Sequence, residues 1–207
     1  MTWIKICGIT KLEDALEAAS LGVDALGFVF APSPRKVEPS IAREISRRLS
    51  RSVLKVGVFV NQDFSEVEKI AVECNLNALQ FHGDEPPDYC QRFSLPIIKA
   101  IRIKGLESLV EMERFPQATL LLDTFSSRQA GGTGIPFPWE VASKAKERRD
   151  FILSGGLNPG NVGEAIRRVN PFGVDASPGL ESRPGKKDLS KMVHFVKEVR
   201  KADQEVR

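Results

Sequence analysis

Eight short apolar runs punctuate the chain at nearly even intervals, and each is followed by a stretch with helical periodicity. The runs are Trp3–Ile6, Ala25–Phe30, Val53–Val60, Ala78–Phe81, Ile97–Ile101, Thr119–Leu122, Phe151–Leu153 and Gly173–Ala176. Spread over 207 residues, each unit takes about 26 residues. Strands that read as continuous apolar runs are buried on both faces, which requires a parallel sheet covered by helical crossovers. Eight such units predict a closed (β/α)8 TIM barrel of parallel strands, somewhat shorter than its usual length of about 250 residues. An open doubly wound sheet is the competing architecture. No Gly-, Ser- or Pro-rich linker divides the chain, so residues 1–207 are expected to form a single barrel domain.

The intervening stretches carry apolar residues at helical spacing. Leu12, Ala15, Leu16 and Ala19 share one predicted face, as do Ile41, Ile45 and Leu49, then Val67, Ile70, Ala71 and Cys74. Leu106, Leu109 and Val110 follow, then Val141, Ala142 and Ala145, then Val162, Ala165, Ile166 and Val169, and last Leu189, Met192, Val193 and Val196. The fourth stretch, Pro86 to Phe93, is weaker. Asn158-Pro159 reads as a capping side chain before a first-turn proline, and Asp188 as the cap of the last helix.

Charge and cysteine usage narrow the function classes. Thirty Lys and Arg against 27 Asp and Glu leave +3, with the basic clusters scattered among acidic neighbours. That is not a nucleic-acid stripe, so no nucleic-acid partner is expected. The longest apolar run, Ala25 to Ala31, is too short to span a bilayer, and the first residues lack the pattern of a signal peptide, so a cytoplasmic protein is expected. Cys7, Cys74 and Cys90 lack CxxC spacing, and only His82 and His194 accompany them, so neither a metal site nor a disulfide framework is expected.

In a barrel of this kind the reactive face lies at the C-terminal ends of the strands. Reading those ends gives Cys7, Arg35, Asn61, His82, Arg102, Asp123, Gly155-Gly156 and Asp175-Ala176-Ser177. Cys7, ahead of a helix starting near Thr10-Lys11, is either a base or nucleophile with a lowered pKa or a small buried hydrophobe. Asp123, directly after an apolar strand, is a candidate general acid, and the glycines 131, 132 and 134 make residues 126–134 a candidate lid. Ser154-Gly155-Gly156 and Asp175 to Gly179 are phosphate candidates, because loops after strands 7 and 8 often build that site. Arg35 has the fork geometry for a carboxylate. His82 is either a polariser of a hydroxyl or a satisfied polar residue.

These residues stand in an order that resembles the phosphoribosylanthranilate isomerases, enzymes of tryptophan biosynthesis. The resemblance runs nearly end to end: Lys5-Ile6-Cys7-Gly8-Ile9-Thr10, Ser33-Pro34-Arg35, Gln80-Phe81-His82-Gly83, Leu121-Leu122-Asp123, Gly131-Gly132-Thr133-Gly134, Phe137-Pro138-Trp139, Leu153 to Leu157, and Gly179-Leu180-Glu181 leading to Gly185-Lys186-Lys187-Asp188. It implies a (β/α)8 barrel, needing no metal or organic cofactor, that rearranges N-(5-phosphoribosyl)anthranilate to 1-(2-carboxyphenylamino)-1-deoxyribulose 5-phosphate. It implies Asp123 as general acid and Cys7 as general base. It also implies Arg35 on the anthranilate carboxylate, and Gly155, Gly156, Asp175 and Ser177 around the phosphate, with His82 as a further substrate contact. The implied partner is therefore a small phosphorylated substrate, taken by a monomer or homodimer. Pro178 departs from the small polar residue usual in the family and removes one N–H from that loop, unless it opens a short helix.

Three other functions compete with this one. A histidine-pathway aldose–ketose isomerase would carry paired aspartates and internal phosphate repeats. A metal-dependent sugar-phosphate epimerase would need more histidines, and a non-catalytic sugar-phosphate binder would not need both Cys7 and Asp123.

Overall fold

Strands that are apolar on both faces are unstable at a solvent edge, and closure of the eight into a barrel leaves them none. The computed structural model describes residues 1–124 and 139–206. Its eight parallel strands are β1 (Trp3–Cys7), β2 (Ala25–Val29), β3 (Leu54–Phe59), β4 (Ala78–Phe81), β5 (Ile97–Ile103), β6 (Thr119–Thr124), β7 (Phe151–Leu153) and β8 (Gly173–Ala176). They run in sequential order, and β8 closes onto β1 in the register Trp3↔Gly173 to Ile6↔Ala176. The predicted (β/α)8 barrel is the observed fold.

Period-two alternation sorts each strand into two surfaces. Ile4, Ile6, Phe28, Phe59, Phe81, Leu120, Leu122 and Phe151 face the helical layer and belong to the large core. Ala25, Val56, Ala78, Ile98, Ala100, Leu121 and Ile152 fill the lumen, with Trp3 against them. Burying each large outward side chain stabilises the fold by roughly 1.5–3 kcal/mol. At the C-terminal ends the inward positions change character. There they hold Cys7, Gln80, Asp123 and Asp175.

Among the described residues the outer layer comprises α1 (Leu12–Ser20), α2 (Pro39–Arg48), α3 (Phe64–Glu73), the short α4 (Pro87–Cys90), a 3-10 helix (Leu106–Arg114), α5 (Trp139–Lys146), α6 (Val162–Val169) and α7 (Leu189–Glu205). None of them is long and apolar enough to cross a membrane. The predicted faces of α3, α5 and α6 are the buried ones. Others need correction. In α1, Leu16 is exposed and Asp14 is buried instead, its carboxylate accepting the backbone N–H of Lys187 at 2.8 Å. Ile41, Leu189 and Val193 are likewise exposed. Leu106 and Val110 point outward because the fifth connection winds with a period near three, which buries Leu109 and Met112.

Helix α6 starts three residues later than the Asn158-Pro159 signal suggests. Asn158 instead closes a turn, accepting from the N–H of Gly160 at 2.8 Å. The cap of α7 is as expected, with Asp188 accepting from the N–H of Lys191. Two short antiparallel strands, β9 (Glu181–Arg183) and β10 (Lys186–Lys187), form a hairpin between β8 and α7 that the periodicity did not reveal.

Candidate active site

One cavity of about 300 Å3 opens at the C-terminal end of the barrel, and all eight sequence-predicted site residues line it. Cys7 enters from the end of β1 and Arg35 from the loop after β2. His82 follows β4, Asp123 is the penultimate residue of β6, and Gly155-Gly156 follow β7. Asn61 and Arg102 stand apart from it. Asn61 adopts a left-handed conformation and its side chain accepts from the N–H of Asp84, while Arg102 pairs with Asp84 near the C-terminal end of β5. The lid expected over residues 126–134 and the Gly-Gly-Thr-Gly segment lie outside the described residues.

The acid side is an ordered chain of hydrogen bonds. Gln80 Nε2 donates to His82 Nδ1 at 3.0 Å, so the ring carries its proton on Nε2 and presents it to Asp123 Oδ2 at 3.1 Å. The other oxygen, Oδ1, accepts the backbone N–H of Thr124 at 2.8 Å. Asp123 is 2% exposed, so these contacts fix its carboxyl group in one orientation facing the cavity. His82 thus reaches the acid and the cavity together.

The thiol side differs from expectation. Helix α1 begins at Leu12 with Lys11 as its N-cap, close to the expected start, yet the thiol is not lowered. Burial pushes the Cys7 thiol above its ordinary value; Lys5 pulls it down, Asp175 pushes it up, and Lys187 pulls it down again. Lys5 is completely buried and its Nζ lies 2.8 Å from Asp175 Oδ1. Asp175 is therefore a strand residue inside the barrel, not part of the loop after β8, and its second oxygen accepts from Ser154 Oγ at 3.4 Å.

Arg35 is also engaged. Its Nε and Nη2 donate to the two oxygens of Glu181 at 2.8 and 2.9 Å, a bidentate pair that leaves Nη1 for another acceptor. Lys187 Nζ joins the same carboxylate at 3.0 Å and also donates to the carbonyl of Ser177. Burial pulls the Lys187 ammonium below its usual range, with Glu181 opposing that shift.

The loops after β7 and β8 meet closely. Gly155 has φ +83°, and a Cβ there would lie 2.3 Å from Thr124 Oγ1. A Cβ on Gly179 would lie 2.2 Å from the carbonyl oxygen of Leu157. Pro178 opens a one-turn 3-10 helix, Pro178–Leu180, where its missing N–H is tolerated. Beside it Ser177 Oγ is buried with no hydrogen-bond partner, a polar atom at the cavity wall. Sequence reasoning gave no role to Lys5, Gln80, Glu181 and Lys187, and it read Ser154 only as part of the phosphate loop, not as a partner of Asp175. Two of them were legible, since Lys5 and Gln80 sit two residues before Cys7 and His82 and so share their inward face.

Comparison with known proteins gives one consistent answer. Residues 4–198 match the family model described as N-(5'-phosphoribosyl)anthranilate (PRA) isomerase. A relative named N-(5'-phosphoribosyl)anthranilate isomerase from Desulforudis audaxviator is 51% identical over 205 residues, spanning 98% of this chain and 100% of that one. The crystal structure of phosphoribosyl anthranilate isomerase from Thermotoga maritima superposes with a TM-score of 0.92 at 40% identity, covering 97% of this chain and 100% of that one. Another isomerase structure, solved in complex with reduced 1-(o-carboxyphenylamino)-1-deoxyribulose 5-phosphate, superposes with a TM-score of 0.88 at 40% identity over the same shares.

Proposed function

The chain belongs to the N-(5'-phosphoribosyl)anthranilate isomerase family, an intramolecular isomerase of tryptophan biosynthesis, and from that premise we propose that Asp123 and Cys7 carry its acid and base steps. The observation that supports this assignment most is their position on the wall of one cavity, on strands β1 and β6, with β7 and β8 between them.

Asp123, protonated, donates to the ribose ring oxygen of N-(5-phosphoribosyl)anthranilate. The anthranilate nitrogen supplies the electron pair that opens the ring to a protonated imine. The carboxylate left on Asp123 is then met by donors already in place, Thr124 N–H and His82 Nε2–H. The imine acidifies the C2 proton, which Cys7 takes as a thiolate, giving an enol amine that tautomerises to the ketone 1-(2-carboxyphenylamino)-1-deoxyribulose 5-phosphate. Anchors at the two anionic ends of the substrate hold C2 and the ring oxygen between these groups, and such positioning is a large share of the barrier reduction.

Arg35 is the anchor for the anthranilate carboxylate through Nη1, with Glu181 fixing its plane. The seam of Gly155-Gly156 and Ser177 to Gly179 is the anchor for the phosphate, with the unpartnered Ser177 Oγ supplying a hydroxyl. Asp175 contacts Lys5 and not the phosphate in this reading, since a carboxylate repels that anion.

The test follows the loss of anthranilate-type fluorescence from freshly made phosphoribosylanthranilate in the presence of a chelator. Rapid decay with the parent enzyme is expected, and none above background with Cys7→Ala or Asp123→Asn, both folded by circular dichroism. Near-parental turnover by Cys7→Ala overturns the base assignment, and by Asp123→Asn the acid assignment.

A further inference from the structure

The proposed base sits in a place that opposes its own ionisation. Cys7 is 7% exposed, and burial of a thiol favours the neutral form. A charge cluster surrounds it. Lys5 lies on the same strand two residues below, facing the same lumen, and its charge pulls the thiol down. Asp175 approaches from β8 and Lys187 from β10. Beyond Lys187 are Glu181 and Arg35, while β2 brings only Gly27 and Ala25 against Cys7 and Lys5. His82 and Asp123, at the ends of β4 and β6, pair with each other on another part of the wall. The cations Lys5, Lys187 and Arg35 thus stand among the carboxylates Asp175 and Glu181, with Asp14 on the backbone N–H of Lys187, and Lys5 is the cation on the strand of Cys7 itself.

We propose that Lys5, held by Asp175, is a positioning residue for the base: its buried ammonium is the counter-charge that allows Cys7 to stand as a thiolate and to regenerate one after each turnover. The inference rests on Cys7 being the base. Lys5 suits this role because it is completely inaccessible and cannot reach substrate past Cys7. Burial alone pulls its ammonium down, but Asp175 and Cys7 together hold it above its ordinary value, so it stays charged throughout the working range. When Cys7 accepts the C2 proton, the pair Lys5–Asp175 keeps its own proton and its 2.8 Å contact. The thiol then loses that proton to solvent as the Asp123 carboxylate takes one up, which restores thiolate and acid together and closes the proton count of the turnover.

The two partners act on Cys7 with opposite signs, and that separates this role from a structural one. The experiment measures the pH dependence of Cys7 carboxamidomethylation by iodoacetamide, quantified by peptide mass mapping, in the full-length enzyme without substrate. Lys5→Met is expected to raise the midpoint by at least one pH unit, which is about tenfold slower labelling at a fixed pH below it. Asp175→Asn is expected to lower the midpoint, and Lys5→Met/Asp175→Asn to fall between the two. Midpoints that stay put, or that move the same way in both single variants, overturn the proposal.

Lys5→Met strands a buried carboxylate and can fail to fold. The double variant avoids that, and Asp175→Asn alone still decides, because an unchanged or raised midpoint there is fatal. Labelling needs no turnover, so it also separates the two readings. Activity surviving in Cys7→Ala removes Cys7 as the base while leaving the measured influence of Lys5 on the thiol intact.

Discussion

Gly179→Ala tests the phosphate anchor at its tightest point. The added methyl would stand 2.2 Å from the carbonyl oxygen of Leu157 and 2.8 Å from Asn158 Cβ, against an ordinary contact of 3.4 Å or more. The atoms it meets are backbone or close to it, so no side-chain rotation relieves the overlap, and the two loops must separate by about 1 Å. Overpacking of this kind costs roughly 1–3 kcal/mol of stability. A misplacement of about 1 Å in a substrate-positioning element can cost on the order of 100-fold in rate. A fall in kcat/KM of at least tenfold is expected, expressed mainly in KM, because the seam binds the phosphate in ground and transition state alike.

Gly22→Ala is the matched control. Gly22 has φ +74° and nothing within 4 Å of the added Cβ, so its cost is the left-handed backbone alone, roughly 1–2 kcal/mol. It precedes β2, at the opposite end of the barrel from the cavity. Urea unfolding should show similar losses for both variants, while steady-state fluorescence kinetics should show a raised KM only for Gly179→Ala. Comparable destabilisation with an unchanged KM in Gly179→Ala would refute the placement of the phosphate between these loops.

Asp203 ties the N-terminus to α7, accepting from Thr2 N–H and Oγ1 at 2.8 and 2.6 Å and from Arg200. Burial pushes its carboxyl up, but those hydrogen bonds outweigh it and hold the group below its ordinary value. The stabilisation is therefore present at neutral pH and fades as the pH falls below about 4 through the lower folded-state value. Asp203→Asn should cost about 1–2 kcal/mol in urea at pH 7, with the gap to the parent closing toward pH 3; a gap independent of pH would refute the linkage. Leu109→Ala, at 1% exposure, should cost about 2–5 kcal/mol by the same assay, and Leu106→Ala, at 59%, less than about 0.5 kcal/mol. Equal losses would show that the fifth connection does not wind as a 3-10 helix.

The barrel was legible because its strands are apolar on both faces, a pattern that no half-exposed sheet produces. All eight runs became strands, three of them extended by one to two residues at the C-terminal end. Those extensions matter. Cys7 and Asp123 are strand residues, held by the ladder, where the sequence placed them just beyond it. The faces of α3, α5 and α6 were legible because regular α-helices against an apolar sheet obey the 3.6-residue period. Leu106 and Val110 were misplaced because the local winding is tighter. Leu16 was misplaced because Asp14 is drawn inward by a backbone N–H on β10, 173 residues away in sequence.

The site itself divides along the same line. Cys7, Arg35, His82, Asp123 and the paired glycines were found because a barrel directs attention to strand ends, and reactive side chains there stand out against apolar strands. Lys5, Glu181 and Lys187 were not, because a lysine or glutamate in sequence is by default a solvated charge. Each is buried only because a partner neutralises it: Asp175 for Lys5, 170 residues distant, and Arg35 for Glu181, 146 residues distant. Local pattern carries no record of such pairings. It does carry the parity of a strand, and parity alone puts Lys5 on the face of Cys7. A lysine directed into a barrel lumen must find a carboxylate there or lose its proton. On the inward face of the adjoining strand β8, flanked by glycine and valine on one side and alanine on the other, the only residue able to meet it is Asp175.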